Sequence, residues 1–113
     1  MIWQQYNLLN QKRKFMKRFK VKLHGENILL NIDGEFKKFG FYATNFIKAE
    51  NPKEAKKIAA ILIRRHPNLK DTVLNESTDR PTINIEEIEE VNALKFFTKK
   101  STTSFTFYPE EEE

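Results

Sequence analysis

From Lys17 to Leu23, apolar and basic residues alternate. Phe19, Val21 and Leu23 fall on one side, and Arg18, Lys20 and Lys22 on the other. A period of two marks a half-buried strand. The alternation returns over Asn27–Ile32, with Ile28, Leu30 and Ile32 inward. Between the two runs, His24-Gly25-Glu26-Asn27 predicts a turn, with Gly25 available for positive φ. Asp33-Gly34 predicts the next turn. A third strand runs from about Lys38 to Glu50, and Gly40 leaves room for a bulge. Short antiparallel connections are the simplest way to join these strands, so a meander is expected.

The period then lengthens. Ala55, Ile58, Ala59, Leu62 and the edge residue Ile63 form a helical stripe, with Lys53, Lys57 and Arg64 opposite. Asn51 caps this helix, Pro52 suits its first position, and Glu54 stands where a capping-box partner belongs. Arg64, Arg65 and His66 complement the negative end of its dipole, and Pro67 stops it. The main helix is thus expected at about 51–66.

Residues 68–75 predict a short second helix that buries Leu69, Val73 and Leu74. Residues 76–81 are turn-rich. Thr82–Val91 reads as a strand that slips phase at Glu86-Glu87, where a bulge would absorb the slip. A helix is the competing reading of residues 86–91. Lys95–Thr98 and Thr103–Tyr108 are expected to pair as a closing hairpin, with the adjacent Phe96 and Phe97 pointing to opposite sides. The fold class that follows is α+β: an antiparallel meander, one main amphipathic helix and further strands, in the order β-β-β-α-(α)-β-β.

At 113 residues, one domain is expected, and a 39% hydrophobic content with ten Phe is enough for one core. There is no Cys, which excludes disulfides and Cys-based metal sites. The longest aliphatic run, Ile58–Ile63, is far too short to span a bilayer. No charged start followed by an apolar core and a small-residue cleavage site is present, so a cytoplasmic location without membrane contact is expected.

Charge is unevenly placed. Residues 1–25 carry seven Lys or Arg and no acid, while residues 86–113 carry eight Glu against three Lys. One reading is a basic surface for nucleic acid. The other sets the basic first strand beside the acidic late strand, as cross-strand ion pairs.

Residues 1–15 lack a clean period and are rich in amides. They read as an extension, or as an arm with Trp3, Tyr6 and Leu9 as an apolar stripe. The domain is expected over residues 16–109, with a disordered acidic tail at 110–113.

Three stretches carry a resemblance: H-G-E-N-I-L-L-N-I-D-G-E (24–35), K-F-G-F-Y-A-T-N-F-I-K-A-E-N-P-K-E-A (38–55) and S-F-T-F-Y-P-E-E (104–111). Together they resemble a family of small uncharacterised bacterial proteins. The resemblance covers Met16 to the C-terminus and implies no activity, cofactor or partner. More loosely, the order of elements is similar to that of small antitoxin domains of the HicB type, whose sequence motifs are not visible here.

Catalytic chemistry finds little support. A hydrolase triad needs a nucleophile, a base and an orienting acid. The two histidines, His24 and His66, fall in a predicted turn and at a helix end. Ser77, Ser101 and Ser104 have no elbow motif around them. Glu86, Glu87, Glu89 and Glu90 face both sides of a strand, and Asp71, Glu76 and Asp79 lack the spacing of a calcium loop. With three Gly in all, no phosphate-binding loop exists. No enzyme activity, metal or cofactor is expected.

Interaction is the better expectation. One helix covers one face of a sheet, and alternation leaves Leu29, Tyr42 and Phe46 on the other, a candidate surface for a protein partner or, first of all, a homodimer. The alternative is a nucleic-acid-binding module, regulatory or antitoxin-like. There Arg18, Lys20 and Lys22 neutralise phosphates beside Tyr42 and Phe46 as stacking groups. A chain beginning at Met16 is expected to keep the thermal unfolding midpoint of the full chain, because residues 1–15 lack the pattern of the domain; a large drop would show Trp3 and Tyr6 to be core residues.

Overall fold

The computed structural model describes residues 16–99 and 104–110. The expectations for residues 1–15 and for the tail beyond 110 lie outside the described residues. The fold is α+β: a four-stranded antiparallel sheet and two helices, in the order β-β-α-β-α-β.

The framework is one long hairpin. Strand β1 spans Lys17–Ile32 and β2 spans Glu35–Ala49. Asp33 and Gly34 join them with φ of 52° and 87°. Positive φ at both central residues is the two-residue turn whose twist matches that of the strands. Asn31 Oδ1 accepts the Gly34 N–H at 2.9 Å.

The expected turn at residues 24–27 is therefore corrected: it is a β-bulge inside one strand. Gly25 pairs with Phe41 and Ile28 with Phe39, so Glu26 and Asn27 together oppose Gly40. Asn27 takes a φ of 60°. The extra residue resets the phase of β1. Before it the odd positions Phe19, Val21 and Leu23 are buried; after it the even positions Ile28 and Leu30 are buried, all in one core. Gly25 serves close approach rather than positive φ, since a Cβ there would overlap the Phe41 ring.

Helix α1 spans Pro52–Arg64, and the Asn51 side chain accepts the Glu54 N–H at 2.8 Å, as the sequence predicts. Such a cap is worth about 1 kcal/mol. Ala55, Ala59 and Ile63 are buried against the sheet, and Ile58 is half-buried. Leu62, expected in the stripe, lies exposed at its edge.

Residues 66–75 form successive turns rather than a second helix. Leu69 N–H bonds to His66 O at 2.9 Å and Thr72 N–H to Leu69 O at 3.3 Å, but Asp71 takes a φ of 64° and breaks any run. The segment then turns to the bulged edge of β1. Leu74 N–H bonds to Leu29 O, and Asn75 accepts the Leu29 N–H at 2.8 Å while donating to Asn27 O at 2.8 Å and Asp79 O at 2.9 Å. Leu69 is buried and Val73 packs on the core, whereas Leu74 is exposed. Hydrogen bonds from Asn27 and then Lys38 hold the Asp79 carboxyl below its ordinary range.

Strand β3, Thr82–Val91, pairs with the first half of β1. Lys22 opposes Glu87 and Leu23 opposes Ile85, which leaves Glu86 as the bulged residue where the sequence slips phase. The strand reading of residues 86–91 stands.

The closing hairpin does not form. Residues Ala93–Lys99 are helix α2, capped by Asn92, whose Oδ1 accepts the Lys95 N–H at 2.8 Å. On a helix, neighbours diverge by about 100°. Phe96 is accordingly buried while Phe97 is exposed. Strand β4, Ser104–Pro109, pairs instead with Phe39–Thr44 of β2. The strand order is β3-β1-β2-β4.

Gly25→Ala is expected to destabilise by roughly 1–3 kcal/mol, the usual cost of overpacking, because the added methyl must displace a fully buried Phe41 ring. Chemical denaturation of the two proteins checks this; an unchanged midpoint would mean that β1 and β2 do not approach so closely.

Candidate nucleic-acid interface

Helix α1 and the turns after it cover one face of the sheet. The opposite face is built by register. Lys20 pairs with Phe46, Lys22 with Thr44 and His24 with Tyr42, so these six side chains share one side. Thr44 continues to Ser104 and Tyr42 to Thr106 on β4. The expected union of Lys20 and Lys22 with Tyr42 and Phe46 on one face is what this pairing produces.

At the middle of this face lies a groove of about 270 Å3. Lys20, Lys22, Lys95 and Lys99 line it together with Phe46, Thr44 and Ser104. Two of the lysines are tethered to β3: Lys22 meets Glu87 at 3.2 Å and Lys95 meets Glu89 at 3.2 Å. Lys17 meets Glu90 at 3.5 Å further along. The basic first strand and the acidic late strand thus lie side by side. These pairs are substantially exposed and stabilise little. Lys20 has no carboxylate partner among the described residues.

Beside the groove, one pair further along this face from Lys22 and Thr44, lies an aromatic platform. His24 stacks on Tyr42 with centroids 4.5 Å apart and planes 10° apart, and Tyr42 and Tyr108 lie 5.3 Å apart. Tyr108 reaches across Gly40, where a Cβ would overlap its ring, and its hydroxyl shares a hydrogen bond with His24 Nε2. His24 Nδ1 faces Glu86 at 3.3 Å and Glu26 at 3.7 Å. Carboxylates on that side favour a proton on Nδ1, which leaves Nε2 to accept from the Tyr108 hydroxyl. Burial, then the nearby Tyr42, Glu26, Glu110 and Glu86, push the Tyr108 phenol above its ordinary range. Tyr42 keeps 52% of its surface exposed.

One end of the groove is closed by α2. Phe96 meets Phe46 edge-on at 6.4 Å. Arg18 lies 5.6 Å over Phe97, and Lys48 lies within 5.6 Å of both phenylalanine rings. Arg18 therefore belongs to the α2 contact rather than the groove, and its Nε is buried with no hydrogen-bond partner among the described residues. Leu29 lies on the same face but beyond the bulge. It is half-buried, with its backbone held by Leu74 and Asn75. Leu29 is thus separated from Tyr42 and Phe46 by the bulge along β1.

Sequence reasoning missed Lys95, Lys99, Ser104 and Tyr108 as members of this face. Alternation alone groups Ser104, Thr106 and Tyr108, but nothing local names β2 as their partner. Among the described residues no three His, Asp or Glu side chains are placed to hold a metal ion, and no helix is long and apolar enough to cross a membrane. Comparison with protein-family models, with curated proteins and with solved structures finds no match to this chain.

The Tyr108 phenol links the site to pH. A group whose folded pKa is raised contributes stability that is present below its unfolded pKa, near 10, and lost as pH rises through the folded value. The thermal midpoint of the parent is expected to fall more steeply above about pH 10 than that of Tyr108→Phe. Parallel slopes would show that the phenol ionises as freely in the fold as outside it.

Proposed function

We propose that this chain is a small non-catalytic module that binds single-stranded nucleic acid along the open face of its sheet. One observation carries the reading: a groove lined by four lysines and Phe46 shares the open face with an exposed tyrosine platform. Single strands are held by neutralising phosphates and by stacking bases on aromatic side chains. Side chains two apart on a strand lie about 6.6 Å apart. Lys20 and Lys22 therefore form a ladder, with Tyr42 beyond it to receive a base. Lysines without a bidentate geometry favour the backbone over base edges, so binding is tolerant of sequence.

The experiment is fluorescence anisotropy with a labelled oligothymidylate at several salt concentrations. Contacts from Lys20, Lys22 and Lys95 to three phosphates imply a log–log slope of about −2, or a loss of roughly twentyfold between 50 and 200 mM salt. Lys20→Ala is expected to reduce the slope by about 0.7, and Tyr42→Ala to cost about 1–3 kcal/mol of stacking. Absence of binding at low salt, or binding indifferent to salt, would overturn the reading.

A second reading, a self-associating interaction module acting as a homodimer, draws on α2. Leu94 and Phe97 are 73% and 61% exposed on that helix, and apolar surface of this kind favours a partner. Sedimentation equilibrium separates the two: an apolar dimer persists at high salt without oligonucleotide, and Tyr42→Glu or Phe97→Glu dissociates it.

A further inference from the structure

On the helix-bearing side of the sheet, the turns after α1 do not close fully against the strands. A cavity of about 400 Å3 remains between them. This size lies within the range of roughly 300–1,000 Å3 usual for small-molecule sites. Its floor is apolar. Ile28 and Leu69 are buried members of the core, and Val73 and Ile83 pack against them. Pro81 and two arginines complete the lining: Arg64 from the last turn of α1 and Arg80 from the approach to β3.

The arginines are the informative part. Arg80 Nε donates to Ser77 O at 3.2 Å, which fixes the base of its side chain. Neither Arg64 nor Arg80 has a carboxylate within ion-pair distance among the described residues. No acid lines the cavity. The nearest acid in sequence, Asp79, is already held by Asn27 and Lys38. Two unpaired positive charges at an apolar cavity form a complementary surface for an anion with an apolar body. The planar fork of a guanidinium fits a carboxylate through two parallel hydrogen bonds.

The wall is set in place rather than loose. Asn75 ties it to β1 through Leu29 and Asn27 and to its own loop through Asp79 O. Leu69 anchors its other end in the core. A ligand entering this cavity therefore meets a formed site and loses little affinity to ordering it.

We infer that this cavity is a binding site for a medium-chain carboxylate, with the acyl chain on Ile28, Leu69, Val73 and Ile83 and the carboxylate on Arg64 and Arg80. The site lies on the face opposite the lysine groove and does not depend on nucleic-acid binding. The test is titration of the full chain with decanoate, followed by amide chemical shifts. Decanol supplies the tail without the charge, and acetate the charge without the tail. Saturable shifts with decanoate at Leu69, Val73 and Ile83 are expected, with decanol and acetate each at least about tenfold weaker. Arg64→Ala and Arg80→Ala are expected to weaken decanoate at least about fivefold while leaving the amide chemical shifts of the sheet in place, since both side chains are exposed and their loss costs the fold little. Decanol binding as tightly as decanoate would remove the arginines from the site. Unsaturable shifts, or shifts unaltered in both variants, would overturn the proposal.

Discussion

The close approach of Gly25 to Phe41 is the constraint on which the rest of this fold depends. A bulge in mid-strand is needed because the apolar positions of β1 change parity between Leu23 and Ile28. A strand without the extra residue would turn Ile28 and Leu30 to the face of Lys20 and Lys22. The phase change is possible only where the chain can coil sharply, and it does so where Gly25 lets the Phe41 ring lie against bare backbone. Gly40, opposite the two bulged residues, supplies a second gap on the other face, and Tyr108 fills it. Two glycines on adjacent strands thus admit two aromatic rings from opposite sides of the sheet.

That arrangement also divides the chemistry of the two faces. The helix-bearing face of the sheet is apolar, and Arg64 and Arg80 stand at one cavity on that side. The open face gathers lysine, tyrosine and histidine, and the glutamates of β3 border it. β3 is an edge strand, and its outer rim is guarded by Glu86, Glu87, Glu89 and Glu90 together with a bulge. Charge and irregularity on an edge discourage pairing with another sheet.

Local signals were the legible ones. Asn51, Pro52 and the stripe of Ala55, Ala59 and Ile63 mark the main helix within the sequence itself, and the phase slip at Glu86 marks the β3 bulge. The bulge at Glu26 and Asn27 was not legible, because His24-Gly25-Glu26-Asn27 satisfies a turn equally well and only the distant Phe41 decides between them. Helix α2 was hidden for a similar reason: Lys95–Thr98 fits a short strand or a single capped turn, and the cap Asn92 is one residue long as a signal. On the open face, alternation placed Lys20, Lys22, Tyr42 and Phe46 together because all four lie on the same side of the bulge. It carried Leu29 across the bulge without showing the distance from Tyr42, and it missed Tyr108, whose place depends on a strand pairing nearly seventy residues apart in the chain.

Tyr108 gives that late strand a particular part in the life of the molecule. Its hydroxyl spans β2 to bond a histidine on β1, and the next residues tie Glu110 to Lys38 and Asn27. These groups come last among the described residues. The hairpin, helix α1 and β3 precede them in the chain, so three of the four strands are made before the last one. Until Tyr108 arrives, however, His24 has no partner at Nε2, the cleft above Gly40 stands empty, and β2 presents an unpaired edge. The aromatic platform of the open face is thus completed only once β4 has been made, so a chain cut before Ser104 would lack it.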